Sequence, residues 1–224
     1  MTNDTVHKSV LSDWVSKVFD FAPGTIIDAT AGGGGHTEML LDMGHKVIAV
    51  DRDPDVISRL ATRFQGCSEV TLVQDTFSNI DKLGQVDGVL ADLGFSSDQM
   101  DDHTRGFSFM SDSPPDMRMS QQGETAQELI EQSTDQELTD LIRQYSEEKK
   151  AWPIAKRIAG RRFESCRDLA AEIGEIAPDK RPWKQKWRKI NPATKTFQAL
   201  RIAVNDELKE LERLLELLPE IILP

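Results

Sequence analysis

The residues best suited to chemistry gather first in one short string, Asp28-Ala29-Thr30-Ala31-Gly32-Gly33-Gly34-Gly35-His36. It follows an apolar β-type run. Glycines at such a strand-to-helix turn let backbone amides approach a ligand with no Cβ in the way. A second acid, Asp51, ends the next β-type run, 23 residues after Asp28. A carboxylate there can accept two hydrogen bonds from the vicinal hydroxyls of a ribose. The pair of signals points to a cofactor built on a nucleoside. The dinucleotide pattern G-x-G-x-x-G is not met: counted from Gly32 and Gly34 its third glycine falls on Thr37, and from Gly33 and Gly35 on Glu38. That failure disfavours a nicotinamide-dependent oxidoreductase. An acid opening the motif, Asp28, suits a cofactor bearing an amine and a sulfonium cation better than a pyrophosphate. S-adenosylmethionine is such a cofactor, and methyl transfer is the chemistry it implies.

Asp92 is the third acid of interest, at the tip of a later β-type run that continues as Leu93-Gly94-Phe95-Ser96-Ser97. Ligands of open parallel sheets bind outside the carboxyl ends of the strands, so Asp92 is expected to face the same crevice as the glycine loop. One reading makes it a turn or capping acid. The other makes it a hydrogen-bond acceptor that orients an amine of substrate or cofactor. An exocyclic amine on a base is a poor nucleophile, because its lone pair is delocalised into the ring. Acceptors that hold its N–H groups in line with a methyl carbon lower that barrier without a metal. The four histidines, His7, His36, His45 and His103, have no ligand spacing. His36 reads as a loop residue lining the cofactor pocket.

The elements that must carry these residues alternate. Strands are expected at 25–30, 46–51, 70–73 and 86–92, with helices around 37–43 and 54–64 between them. Strand and helix in alternation imply a parallel sheet covered on both faces. A loop rich in Gly, Ser, Asp and Pro follows from about 93 to 123, and then helical segments. Thr125 with Glu128, and Thr134 with Glu137, have capping-box spacing at helix starts. The stretch 151–177 also reads as helix. A long amphipathic helix is expected over 194–218, with Phe197, Leu200, Val204, Leu208, Leu211, Leu215 and Leu218 on one face. The domain reading is a cofactor-binding part formed by 1–100 and 191–224, with 101–190 as an inserted helical subdomain for substrate recognition.

Composition sets the limits. The chain has 224 residues, 38% of them hydrophobic and 29% charged, which fits one large globular domain or a domain carrying an insertion. No apolar run approaches membrane-spanning length, and the first nine residues lack the apolar stretch of a signal peptide. Two cysteines, Cys67 and Cys166, build neither a disulfide framework nor a four-sulfur metal site, so a reducing, cytoplasmic setting is expected. The net charge of −11 argues against a nucleic-acid partner only on average: residues 151–200 carry +7. A local patch decides whether a polyanion docks. Within 180–189 lie six basic residues, two tryptophans and no acid, and Lys184, Lys186, Trp187, Arg188 and Lys189 are the candidates for RNA contact. Basic side chains meet phosphates and aromatic faces stack unpaired bases. The alternative is a solvated loop anchored by its tryptophans. Arg105 and Arg118 either steer substrate phosphates or pair with Asp101, Asp102, Asp112 or Asp116. Arg201 and Asn205, one helical turn apart, either face the crevice or stay on the helix surface.

Taken together, the strings HKSVL (7–11), DATAGGGGH (28–36), AVDRDP (49–54), DGVLADLGFSSDQMDD (87–102), RGFSF (105–109), DMRM (116–119) and NPATKTFQALRIAVNDEL (191–208) resemble the bacterial and organellar 16S rRNA cytosine-N4 methyltransferase family. The resemblance spans nearly the whole chain. It implies a class I methyltransferase, a Rossmann-like doubly wound α/β sheet with a helical insertion after the fourth strand. It also implies S-adenosylmethionine as cofactor and the exocyclic amine of a decoding-region cytosine, in small-subunit rRNA or a 30S particle, as target. The family's cofactor contacts fall on Gly34, Gly35, His36, Asp51, Phe77, Asp92 and Gln99, with Asp92 also the catalytic candidate. Phe77 is expected to pack on the adenine and Gln99 to offer an amide to cofactor or base.

Three departures stand out. Gly33 replaces a bulkier residue, and the segment Ser113-Pro114-Pro115-Asp116 has proline where leucine is usual. The family also continues past the long helix into further strands, so the C-terminal strands of the fold are expected to be missing. The fourth strand would then be an exposed edge that invites pairing with another chain, a second copy of this one included. A non-catalytic RNA-binding or assembly protein that keeps the cofactor pocket is the competing expectation.

Overall fold

The computed structural model describes residues 11–177 and 191–224. Those residues pack as two units, one formed by residues up to Ser96 together with Leu208–Pro224, the other by Ser97–Glu207. The first unit holds helix α1 (Ser12–Val18) and four strands: β1 (Thr25–Asp28), β2 (Lys46–Asp51), β3 (Val70–Gln74) and β4 (Gly88–Leu90). All are parallel, in the order β3-β2-β1-β4. Helices α2 (Gly35–Asp42) and α3 (Pro54–Arg63) make the crossovers. This is the alternating arrangement expected from the sequence.

The central strands β1 and β2 bury apolar side chains on both faces, as strand alternation requires. Ile26, Val47, Ala49 and Leu90 join Leu40 of α2 and Val56 and Leu60 of α3 in one buried cluster. Their sequence neighbours Ile27 and Val50 join Ile80, Val86, Leu214 and Ile221 in another. Strands buried on both faces read as near-continuous apolar runs, which is why β1 and β2 were legible. Helix α3 is set by Asp53, whose carboxylate accepts from Asp55 N at 3.1 Å, followed by Pro54 at the first helical position.

The second unit is helical: α4 (Ser97–Asp101), α5 (Ala126–Gln132), α6 (Asp135–Ser146), α7 (Ala151–Ile158), α8 (Cys166–Ile176) and α9 (Thr194–Val204). Both expected capping boxes form, with Thr125 and Glu128 opening α5 and Thr134 and Glu137 opening α6. Its buried side chains include Ile130, Leu138, Ile142, Ile154, Ile158, Leu169, Ile173 and Leu200. The single helical stretch expected over 151–177 is two helices, interrupted near Gly160, which sits at φ +67°.

The long helix expected over 194–218 is also two. Helix α9 stops at Asn205 and α10 (Glu207–Ile221) restarts after Asp206, held at φ +50°. The two halves belong to different units, so one apolar face cannot serve both. On α10 the buried residues are Leu214 and Ile221, while Leu208 and Leu215 are 44% and 56% exposed. Helix α9 therefore packs with the second unit, whereas its sequence grouped it with the first.

The edge of β4 is partly covered. Val86 pairs in parallel with Ile222, donating to Ile221 O at 2.8 Å and accepting from Leu223 N at 2.9 Å. Among the described residues, Gly88–Leu90 themselves pair only with β1. No helix of the described residues is long and apolar enough to cross a membrane.

Candidate active site

Three strand ends meet around the glycine loop. Ala31 N donates to Val50 O and Ala29 N to Leu90 O, so the chain leaving β1 is stitched to β2 on one side and β4 on the other. Gly32 lies at φ +50° and Gly34 at φ +81°, both in the left-handed region that favours glycine. Gly34 is also sterically fixed, because a Cβ there would stand 2.7 Å from Leu60 Cδ2. No heavy atom outside its chain neighbours comes within 4 Å of where a Cβ on Gly33 would sit, so the loop's outer side is open. Gly35 begins α2, whose first backbone N–H groups have no intrahelical acceptor.

Asp51 stands where the sequence put it, at the end of β2. One carboxylate oxygen accepts from Gly32 N and the other from Asp53 N, each at 2.9 Å. Each oxygen keeps a lone pair, which is the acceptor set that two vicinal hydroxyls need. Burial pushes this carboxyl above its ordinary range, opposed by those two N–H bonds.

Asp28 is fully buried. It accepts from Thr37 Oγ1 at 2.6 Å and from Thr30 N at 3.4 Å, bracing both ends of the loop. This side chain is committed to the protein's own loop, not to a cofactor amine as its place in the motif implied. Burial raises its carboxyl too, against the Thr37 bond and the charge of His36 nearby. His36 itself is a buried residue in the first turn of α2.

Asp92 is exposed just beyond β4, and its backbone N–H donates to Thr30 Oγ1 at 2.7 Å. Thr30, which sequence reasoning passed over, thus ties the Asp92 peptide to the glycine loop. The only signal for it was its position between Asp28 and the glycines. Phe77 follows β3 and is half-buried against the Ile27–Val50–Ile80 cluster. Its approach is fixed by Asp75, which donates its N–H to Asp51 O at 3.2 Å and accepts from Thr76 N and Asn79 Nδ2. Gly34, Gly35, His36, Asp51, Phe77 and Asp92 are all in the first unit. Gln99 is a buried residue of α4 in the second.

Arg105, Arg118 and Arg201 of the second unit are occupied. Arg105 donates to Arg118 O and Met119 O, and Arg118 pairs bidentately with Asp116 (Nε–Oδ1 2.8 Å, NH2–Oδ2 2.7 Å) while donating to Gly123 O. Of the two readings for Arg118, pairing with Asp116 is the one its side chain adopts. Arg201 likewise pairs with Glu207 at 2.7 Å. Lys184, Lys186, Trp187, Arg188 and Lys189 lie outside the described residues.

A parallel sheet with a glycine turn after its first strand and a ribose-type acid after its second defines a nucleoside-binding α/β domain of the class I methyltransferase kind. The chain belongs to the MraW methylase family, whose model matches residues 4–224. Ribosomal RNA small subunit methyltransferase H of Anaeromyxobacter sp. (strain Fw109-5) is 42% identical over 228 residues, covering 98% of this chain and 73% of that protein. The proteins of the same description from Sorangium cellulosum (strain So ce56) and Prochlorococcus marinus (strain MED4) are 43% and 40% identical. Each covers 97% of this chain, and 72% and 76% of their own length is spanned.

Proposed function

We propose that this chain transfers a methyl group from S-adenosylmethionine to the exocyclic N4 amine of a cytosine in the decoding region of small-subunit rRNA. The observation that carries the reading is the pairing of two acceptor carboxylates, Asp51 and Asp92, on the same edge of one sheet with the glycine loop between them. Family membership supports methyl transfer, and the names of the relatives support small-subunit rRNA, free or in a 30S particle, as substrate.

Residues present on this edge fit the cofactor: an open glycine turn, a carboxylate with free lone pairs on both oxygens, and a ring at Phe77. When bound, S-adenosylmethionine supplies an electrophilic methyl carbon on a sulfonium. Asp51 would hold the ribose hydroxyls, the Gly34 backbone and the N–H groups of Gly35 and His36 would line the loop, and Phe77 would pack on the adenine. Gln99 is a cofactor contact on the family resemblance alone. Asp92 has the central task. Its carboxylate would accept an N–H of the target amine and so turn the nitrogen lone pair toward the methyl carbon. As an exposed group it can pass the released proton to water. The basic run 180–189 is the RNA contact in this reading. Arg105 and Arg118 serve the second unit's own loop.

Asp92→Ala should bind the cofactor yet lose about a hundredfold or more in methyl transfer to small ribosomal subunits. The check is mass spectrometry of the rRNA after incubation with labelled cofactor. Undiminished turnover by Asp92→Ala sinks the assignment. Cofactor and RNA binding by the unaltered chain without any methylated cytosine would instead favour a non-catalytic assembly role.

A further inference from the structure

Arg63, the last residue of α3, reaches back to the glycine loop. Its NH1 donates to the carbonyl of Gly33, and its NH2 pairs with Glu38 of α2 at 2.7 Å. The same NH1 stands 3.4 Å from where a Cβ on Gly34 would be, so the guanidinium lies against the Gly33–Gly34 peptide. In a trans peptide the C=O and the following N–H point in opposite directions. Fixing the Gly33 carbonyl toward α3 therefore also fixes the Gly34 N–H, which donates to Ala31 O at 2.8 Å. A peptide between two glycines rotates with little steric resistance, since neither side carries a Cβ to oppose it. Without Arg63 the bond from Gly34 N–H to Ala31 O would hold this peptide alone, and its orientation would be less sharply defined.

We propose that Arg63 is a positioning residue that locks the Gly33–Gly34 peptide in the orientation used to bind S-adenosylmethionine. The assignment rests on the cofactor reading above. Asp51 holds the loop at Gly32 N, Asp28 holds its two ends through Thr30 and Thr37, and Arg63 holds the middle. Arg63 is the cation of this set, and a charged donor on a carbonyl makes a stronger hydrogen bond than a neutral one. The pair with Glu38 keeps the guanidinium aimed, with the two side chains 40% and 56% exposed. An ion pair so exposed adds little to global stability, so the latch can be removed without unfolding the unit.

The test compares the unaltered protein with Arg63→Ala and Arg63→Lys. Amide hydrogen exchange without cofactor reports on the peptide itself: Gly34 N–H should exchange about three- to tenfold faster in Arg63→Ala, with the rest of α2 and α3 unchanged. Calorimetric titration should give S-adenosylmethionine affinity weakened by about the same factor, with maximal turnover retained. Arg63→Lys, which can still reach one carbonyl, should recover part of both effects. Unchanged Gly34 exchange overturns the latch whatever the cofactor does. Faster exchange with undiminished affinity overturns its role in binding. If the unaltered protein binds no S-adenosylmethionine at all, the cofactor reading falls and the positioning role falls with it, whereas the exchange result still reports whether Arg63 holds the peptide.

Discussion

Asp51 and Asp28 are carboxylates held against their own desolvation. Burial raises both, and for Asp51 the opposing bonds come from Gly32 and Asp53 backbone N–H groups. A carboxyl whose folded value lies above its unfolded one destabilises the fold when ionised. The molecule therefore gains stability as pH falls through the raised value toward the ordinary one. In the proposed reading cofactor binding would have the opposite sign, because the protonated form of Asp51 would offer the ribose a poorer acceptor. Asp51→Asn keeps one acceptor oxygen but turns an amide donor toward the Gly32 or Asp53 N–H, so the gain of stability on acidification that this carboxyl contributes should disappear while S-adenosylmethionine affinity falls by about tenfold or more. Paired denaturant melts and calorimetric titrations from neutral to acid pH would check both. Unaltered affinity, with the gain of stability on acidification retained, would reverse the account.

At the scale of elements, the break between α9 and α10 is organised by one side chain. Asn205 is 5% exposed. Its Oδ1 accepts from Met119 N at 2.8 Å, and its Nδ2 donates to Met117 O at 2.7 Å and Arg201 O at 2.8 Å. Met117 is buried at φ +62°, an unusual conformation for a side chain of that size, and the Asn205 clamp helps to hold it. The DMRM string is thus a structural knot, closed by Arg118 on Asp116 and by Gly106, where a Cβ would stand 2.4 Å from Asp116 N. Asn205→Ala should destabilise the second unit by about 2–4 kcal/mol, since it strands a buried N–H and a buried C=O. Asn205→Asp should not restore the loss, because a carboxylate presents an acceptor to the Met117 carbonyl. Denaturant unfolding of both variants measures this. A helical period carried across Asn205 predicts one helix, because periodicity senses apolar spacing and is blind to a polar side chain captured by a distant loop.

For the molecule as a whole, each unit carries its own reporter thiol. Cys67 is exposed in the first unit, whereas Cys166 is buried in the second, its Sγ donating to Gly106 O at 3.2 Å. Burial pushes the Cys166 thiol up to about 12. Its folded value exceeds its unfolded one, so the stability it contributes is whole at neutral pH and is lost as pH rises from the ordinary thiol range toward that value. At mildly alkaline pH a maleimide should label Cys67 at once and Cys166 only as the second unit opens. Equal rates for the two would mean that the buried environment of Cys166 is wrong. Melting followed at each thiol then reports on each unit.

Much of the fold was legible because its signals are local. β1 and β2 are apolar runs, Asp53-Pro54 starts a helix by its own hydrogen bond, and Thr–Glu pairs at a three-residue offset cap α5 and α6. The glycine string and Asp51 were equally plain, since a turn needing positive φ and an acid at a strand end declare themselves in residue type. What the sequence could not disclose is which partner each polar group chooses. Asp28 went to Thr37, Arg118 to Asp116, and Arg63 to a carbonyl thirty residues away. Composition and periodicity fix which groups must be buried or capped; the choice among donors and acceptors depends on distances that exist only once the strands and helices have packed.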